Sequence, residues 1–274
     1  MDPFKVLIEV VKARSFTKAA ENLYTSQPSI SRDIKKLETE YDVKIFEFKH
    51  SKMTLTSDGE KLFSYALKQK HLEDTLRREL QQAPHSISGE LTIGSSYTYG
   101  EYRLAQKLGE LAQSYPKLHI HVHLDNSDHV IENVQRNIID LGIVEKEIQA
   151  NMIESTRIEK DEMVLIHKKA GGSNMDTCFV REKGSGTRFY QEEGLAQFQL
   201  HPFLVEINNT TLIKNMVHDG YGFSIVSKKT LTPFDKEKLE IIPLDIERYF
   251  YLLTHSNKYI DKNMEILINK FTEE

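Results

Sequence analysis

Ser15 to Leu37 reads SFTKAAENLYTSQPSISRDIKKL, and its second half gathers side chains able to bond nucleic-acid bases and phosphates. From Gln27 onward Ile30, Ile34 and Leu37 fall at i, i+4 and i+7, a narrow apolar stripe of one helix. Ser29, Arg32, Lys35 and Lys36 lie on its other side, with Gln27 and Ser31 near its start. Gln pairs with adenine, Arg with guanine or phosphate, and small hydroxyls let a backbone come close. Thr17 stands where an N-cap belongs before Lys18–Leu23; Ser26 or Thr25 can cap the second helix, whose first turn tolerates Pro28. Two helices on a tight turn suit insertion into a major groove, although the pattern alone equally suits an amphipathic helix with a solvated basic face.

A second set of hydroxyls and amides is the glycine-bounded run Gly94-Ser95-Ser96-Tyr97-Thr98-Tyr99-Gly100, with Lys183-Gly184-Ser185-Gly186-Thr187-Arg188 as its counterpart. Each precedes an expected helix, so backbone N–H groups, hydroxyls and Arg188 make an anion cradle between facing loops. Gly184–Thr187 suits a plain turn equally well, and the phosphate-loop spacing with its lysine is absent. His119, His121 and His123 share one face of an expected strand. No carboxylate or cysteine at fixed spacing completes a zinc site there, so a polar face against a neighbouring helix or subunit is preferred, with a pH-sensitive interface as the alternative. The lone Cys178, in an expected buried strand, reads as core and leaves no intrachain disulfide.

The elements that position these residues follow from periodicity. Residues 2–14 form an expected first helix with Phe4, Leu7, Ile8 and Val11 on one face. Val43–Phe46 and Met53–Leu55 form a two-stranded wing with a turn near His50-Ser51. Ser57-Asp58-Gly59-Glu60 has the capping-box pattern and opens a helix to about Gln82. Along it Leu62, Tyr65, Ala66, Gln69, Leu72, Leu76 and Leu80 recur at three- and four-residue steps. The simplest place to bury that stripe is a second copy of the helix, the other its own domain. Pro84 ends the helix and Gly89 frees the chain, making 83–89 a hinge. Strands and helices then alternate, as in parallel sheets with crossover helices. Strands are expected at Leu91–Gly94, Leu118–Leu124, Leu141–Val144, Met163–His167, Thr177–Val180, Phe203–Val205, Phe223–Val226 and Phe250–Leu253. Helices are expected at Glu101–Tyr115, Asp128–Asn137, Phe189–Gln199, Thr210–His218 and Asn257–Phe271.

Length and composition bound the function. The 274 residues suffice for two domains, and 39% apolar with 28% charged residues fit a soluble globular chain. No run approaches a membrane span and no signal peptide is legible at the N-terminus, so a cytoplasmic location is expected. The net charge of −5 argues against indiscriminate coating of nucleic acid, and the first 56 residues are the positive end at only +2. Specific contacts must therefore outweigh bulk charge. No nucleophile elbow, HExxH, dinucleotide fingerprint or coupled Ser-His-Asp spacing points to an enzyme.

Ala19-Ala20 with Leu23, then Ser26-Gln27-Pro28-Ser29-Ile30-Ser31-Arg32 and Ile34-Lys35-Lys36-Leu37-Glu38, resembles the N-terminal signature of LysR-type transcriptional regulators. The order of the later features resembles that family to the C-terminus. The resemblance implies a winged helix-turn-helix over 1–57, a dimerising linker helix and hinge over 58–88, and a periplasmic-binding-protein-like effector domain over 89–274. Its lobe I would hold about 89–162 and 252–274, and lobe II about 163–251. It implies promoter DNA, RNA polymerase and a second copy, as dimer or tetramer, as partners. It also implies a small effector, expected to be an anion, between the lobes. Ser96 and Thr98 match effector-holding positions, Ser185 and Thr187 the facing loop; Tyr97, Gly186 and Arg188 lie among them. Glu145 stands where relatives often have Thr and would favour a ligand bearing a donor or positive charge. Phe48 stands where the family usually has a wing Arg, leaving Lys49, His50 and Lys52 for that contact. A solute-binding protein of the same lobed fold is the rival reading, and the first eighty residues argue against it.

Overall fold

The computed structural model describes residues 1–49, 52–81, 87–150, 152–169, 174–256 and 258–273. The chain divides into two compact units, Met1–Ser86 and Ile87–Glu274. In the first, α1 (Pro3–Ala13) is capped by Asp2, whose carboxylate accepts from Phe4 N at 3.0 Å. Val6, Leu7, Ile8 and Val10 are buried, so the inward face is rotated by about a residue from the Phe4–Val11 stripe read in the sequence.

The cap of α2 (Phe16–Asn22) is Ser15, not Thr17: Ser15 Oγ accepts from Lys18 N at 3.3 Å and Thr17 is exposed inside the first turn. Tyr24 ends the helix at φ 51°, with Tyr24 N donating to Glu21 O and Thr25 N to Ala20 O. That pairing is a Schellman ending, where glycine is the unstrained residue. Ser26 caps α3 (Gln27–Glu40), as expected, with Pro28 in the first turn. The wing is β1 (Phe46–Lys49) paired antiparallel with β2 (Lys52–Leu55); its turn, with His50 and Ser51, lies outside the described residues. The strand begins three residues later than Val43, because Glu38 at the end of α3 takes Ile45 N at 3.0 Å and fixes where the chain turns.

Helix α4 (Ser57–Gln81) is capped by Thr56, whose hydroxyl accepts from Gly59 N at 2.9 Å, in place of the Ser57–Glu60 box. Residues 83–86 of the expected hinge lie outside the described residues.

The second unit is built on one curled eight-stranded sheet in the order β4-β3-β5-β10-β6-β9-β7-β8. Strands β3 (Gly89–Ser96), β4 (Leu118–Asp125) and β5 (Leu141–Val144) are parallel and form one half; β7 (Thr177–Val180), β8 (Phe203–Glu206) and β9 (Phe223–Ser227) are parallel in the other. Between them run two long antiparallel strands, β6 (Ile153–Lys168) and β10 (Leu239–His255), which pair along nearly their whole length. One end of β10 meets β5, and one end of β6 meets β9, so this ribbon belongs to both lobes.

Helices cover both faces. In lobe I α5 (Tyr97–Tyr102), α6 (Leu104–Ser114) and α11 (Lys262–Thr272) enclose Leu91, Ile93, Phe250 and Phe271, while α7 (Ser127–Gln135) closes the other face over Val130, Val134 and Leu253. In lobe II α8 (Gly186–Gln197) covers Cys178 and Phe223, and α9 (Thr210–His218) covers Ile166, Phe179 and Val226, with α10 (Pro233–Lys238) beside it.

Candidate functional site

Helix α3 is built as a presented edge. Ile30, Ile34 and Leu37 are fully buried, while Gln27, Pro28, Arg32, Lys35 and Lys36 are exposed and Ser29 and Ser31 half-buried. Gln27 Nε2 donates to Ser31 Oγ at 3.0 Å, which holds the glutamine along the outer face one turn from its own backbone. Ser26 and Tyr24 flank the entry to this helix, and Tyr24 is 98% exposed. On the wing, Lys49 and Lys52 sit opposite each other at the end of the ladder nearest the turn. Glu38 was missed as a positioning residue: besides Ile45 N it reaches Lys44 Nζ at 3.3 Å, tying the wing to α3.

Helix α4 serves two surfaces, and the sequence reading merged them. Phe63, Ala66 and Leu67 are buried within the first unit. Tyr65, Leu72, Leu76 and Leu80 are 55, 53, 54 and 78% exposed, Gln69 is exposed and Leu62 half-buried. Ala66 therefore belongs to the inward face. The outward face at 65, 69, 72, 76 and 80 keeps the mixed three- and four-residue steps of one helix face, as a helix-pairing seam requires.

In the second unit the two hydroxyl-rich loops meet where β6 and β10 pass from lobe to lobe. Thr98 Oγ1 of lobe I lies 3.2 Å from Thr187 Oγ1 of lobe II. Ser96, Thr98, Ser185, Gly186 and Thr187 are buried, and the Tyr97 ring carries the buried Arg181 guanidinium 5.3 Å from its centroid. Glu145, also buried, accepts from Ser127 Oγ at 2.6 Å through Oε2, and Ser127 Oγ in turn accepts from Gly186 N at 3.1 Å.

Arg188 turns out of the cradle. Its guanidinium bonds Glu192 at 2.7 Å, the Arg181 carbonyl at 2.8 Å and Glu206 at 3.3 Å. The cation that reaches Thr187 and Glu145 is Arg248, on β10 and fully buried. Its NH1 donates to Thr187 Oγ1 at 3.3 Å and meets Met163 Sδ; its NH2 is 3.4 Å from Glu145 Oε1 and its Nε 3.0 Å from Asp161 Oδ2. Neither of the last two contacts has hydrogen-bond alignment, and Ser96 Oγ also lacks a partner among the described residues. Asp161 is fixed by Ser227 Oγ and Glu162 N, each within 2.9 Å, on its other oxygen. Burial pushes the Asp161 carboxyl up, against the pull of Arg248 and the Ser227 hydrogen bond. Burial likewise drives the Tyr190 phenol to about 12, so it stays a donor, to the Glu145 carbonyl at 3.1 Å.

The remaining candidates carry little chemistry. Burial pushes the Cys178 thiol to about 12, which leaves almost no thiolate at neutral pH. His119, His121 and His123 stand exposed along β4, an edge strand, and among the described residues no cluster of three His, Cys, Asp or Glu is placed to hold a metal ion. No described helix is long and apolar enough to cross a membrane.

A winged helix-turn-helix with a polar, basic reading edge, followed by a two-lobed α/β unit with a polar cleft, defines a ligand-responsive DNA-binding regulator. Residues 1–60 match the model of the bacterial regulatory helix-turn-helix protein, lysR family, and residues 84–274 that of the LysR substrate binding domain. The chain belongs to the LysR family of transcriptional regulators: it binds promoter DNA through the N-terminal domain and carries an effector-binding domain. It is 65% identical over 263 residues to an uncharacterised HTH-type transcriptional regulator in the lacR 5′ region of Staphylococcus xylosus, covering 96% of this chain and 97% of that one. It is 34% identical to the HTH-type transcriptional regulator CysL of Bacillus subtilis, over 84% of this chain and 81% of the relative. A full-length, singly substituted OxyR from Pseudomonas aeruginosa shares the fold, with a TM-score of 0.74 at 19% identity over 99% of this chain and 97% of the other. The rival reading as a solute-binding protein without a DNA role has no place for residues 1–60.

Proposed function

We propose that this regulator reads its operator with Gln27, Ser29, Ser31 and Arg32 of α3, anchored on phosphates by Thr17, Ser26, Lys35, Lys36 and the wing lysines Lys49 and Lys52. The observation that carries this is the division of α3: its apolar stripe is wholly buried and Gln27 and Arg32 stand exposed. A helix so divided enters a major groove with its first two turns. The outward seam of α4 pairs two copies, which sets two reading heads on a two-fold site. Residues 1–57 act as the reading head, 58–88 as linker and 89–274 as the sensor, whose lobes exchange near residues 162 and 251. A small effector seated beside Glu145 by Ser96, Tyr97, Thr98, Ser185, Gly186 and Thr187 shifts the spacing of the heads and so the contact with RNA polymerase. The protein acts in the cytoplasm and catalyses no reaction.

Arg32→Ala tests the reading head. It is expected to weaken specific operator binding by about 1–3 kcal/mol and relax the preference at one base pair, measured by titration against the operator and its single-base variants. Unchanged affinity would reassign the reading helix. In the sensor, Thr98→Val removes the hydroxyl facing Thr187 and is expected to flatten the response of a promoter fusion to its inducing growth condition; a normal response would move the pocket elsewhere.

A further inference from the structure

The cleft is built like an anion seat, yet one of the chain's own carboxylates sits in it. Helices α7 and α8 aim their first turns at the same point from opposite lobes, and the link between them is Glu145 Oε2, through Ser127 Oγ to Gly186 N. Two helix N-termini and a buried guanidinium favour a negative charge there. The seat is full: a Cβ on Gly186 would lie 2.5 Å from Glu145 Oε2 and 2.9 Å from Ser127 Oγ.

The arrangement around Arg248 leaves the seat open to exchange. The Nε–NH2 edge is the side of a guanidinium that takes a carboxylate or phosphate through two parallel bonds. Here that edge faces two different carboxylates, one oxygen each, at 3.0 and 3.4 Å, with no aligned bond to either. Asp161 is tied down by Ser227 and by Glu162 N, whereas the Glu145 carboxylate has, among the described residues, one hydrogen bond, from Ser127. One positive group thus holds two negative ones, and Glu145 is the less anchored of the pair.

We infer that the Glu145 carboxylate is a tethered occupant of the effector seat, and that an anionic effector acts by replacing it on Arg248 and Ser127. This rests on reading the cleft as the effector site. Its consequence is that the wild-type cleft resists simple anions, because a displaced Glu145 stays nearby and repels them, and that neutralising residue 145 converts the cleft into an open anion site.

The test uses the full chain and inorganic phosphate and sulfate as probes, with sodium chloride at matched ionic strength. Wild-type protein is expected to show no ion-specific shift in melting temperature. Glu145→Ala, which empties the seat, and Glu145→Gln, which keeps its shape, are each expected to gain a saturable rise of about 2–4 °C at roughly ten times the dissociation constant. Saturable stabilisation of the wild type by either anion would overturn the inference whatever the variants do, and so would two folded variants with no ion-specific rise. If the variants gain nothing while Thr98→Val loses its promoter response, the cleft is the effector site and the tethered-occupant idea alone falls. If Thr98→Val responds normally, the reading of the cleft falls with it.

Discussion

A chain carrying Leu72→Glu and Leu76→Glu is expected to fold normally and to lose about 10²–10⁴-fold in operator affinity, because two linked heads bind with an avidity that one lacks. Both leucines lie on the outward seam of α4, more than half exposed in the single chain. The contacts that hold α4 to its own domain, through Phe63, Ala66 and Leu67, are made earlier in the helix. Four carboxylates brought together along a paired seam oppose association by charge as well as by lost apolar contact. Truncation before Ser57 is the cruder route and confounds the result, since it strips Phe63, Ala66 and Leu67 from the head's core. Sedimentation equilibrium and footprinting check the expectation together; a charged-seam variant that still pairs at micromolar concentration and protects the full operator would place the dimer contact elsewhere.

Lys214→Met is expected to cost the effector domain about 3–5 kcal/mol, the penalty for removing one partner of a buried ion pair. Lys214 on α9 is almost wholly buried, and its Nζ donates to Asp235 Oδ2 and to Thr230 O, both at 2.7 Å. Asp235 also takes His218 Nε2 on its other oxygen at 2.7 Å, and Thr232 N and Oγ1 at 2.7 and 2.8 Å. Burial alone would raise the Asp235 carboxyl; the hydrogen bonds from Lys214, His218 and Thr232 override it and hold the group well below the usual carboxylate range. A depressed carboxyl stabilises the fold fully above its unfolded value, near 4, and that contribution is lost as pH falls below it towards the folded value. The wild-type domain should therefore lose melting temperature on acidification below about pH 4. The variant should start roughly 6–20 °C lower at pH 7 and show a shallower acid slope. Equal melting temperatures at pH 7 would mean that the pair stabilises nothing.

Elements carried by compact apolar runs were legible from sequence with bounds close to those observed: β5 at Leu141–Val144, β7 near Thr177–Val180 and α9 near Thr210–His218. The crossing strands were read only in their apolar stretches, Met163–His167 and Phe250–Leu253. Their remaining parts, such as Glu154-Ser155-Thr156-Arg157, mix half-buried and exposed positions and carry charges that mimic loop. They are strands because each is the other's hydrogen-bond partner, a fact of tertiary structure that no local window contains. The single helix expected over 101–115 is two, broken at Arg103 where φ reaches −125°. The short α10 was missed, although its capping box, Thr232 with Asp235, was in plain view. Hydroxyl caps were misplaced by one or two residues because Ser15 and Thr17, and Thr56 and Ser57, are chemically alike. Ser96, Thr98 and Glu145 were singled out from sequence by their place at the ends of strands, and all three are buried where the lobes meet. Arg248 was not singled out, since its partners Thr187, Asp161 and Glu145 are far from it along the chain and no spacing links them.

The ribbon shared by the two halves of the sensor has an energetic corollary. The four apolar clusters lie on separate faces and would, if isolated, melt at temperatures of their own. Because β6 and β10 thread both halves, fraying one half strips backbone bonds from the strands on which the other depends. The two halves are therefore expected to unfold together in one cooperative transition rather than one after the other.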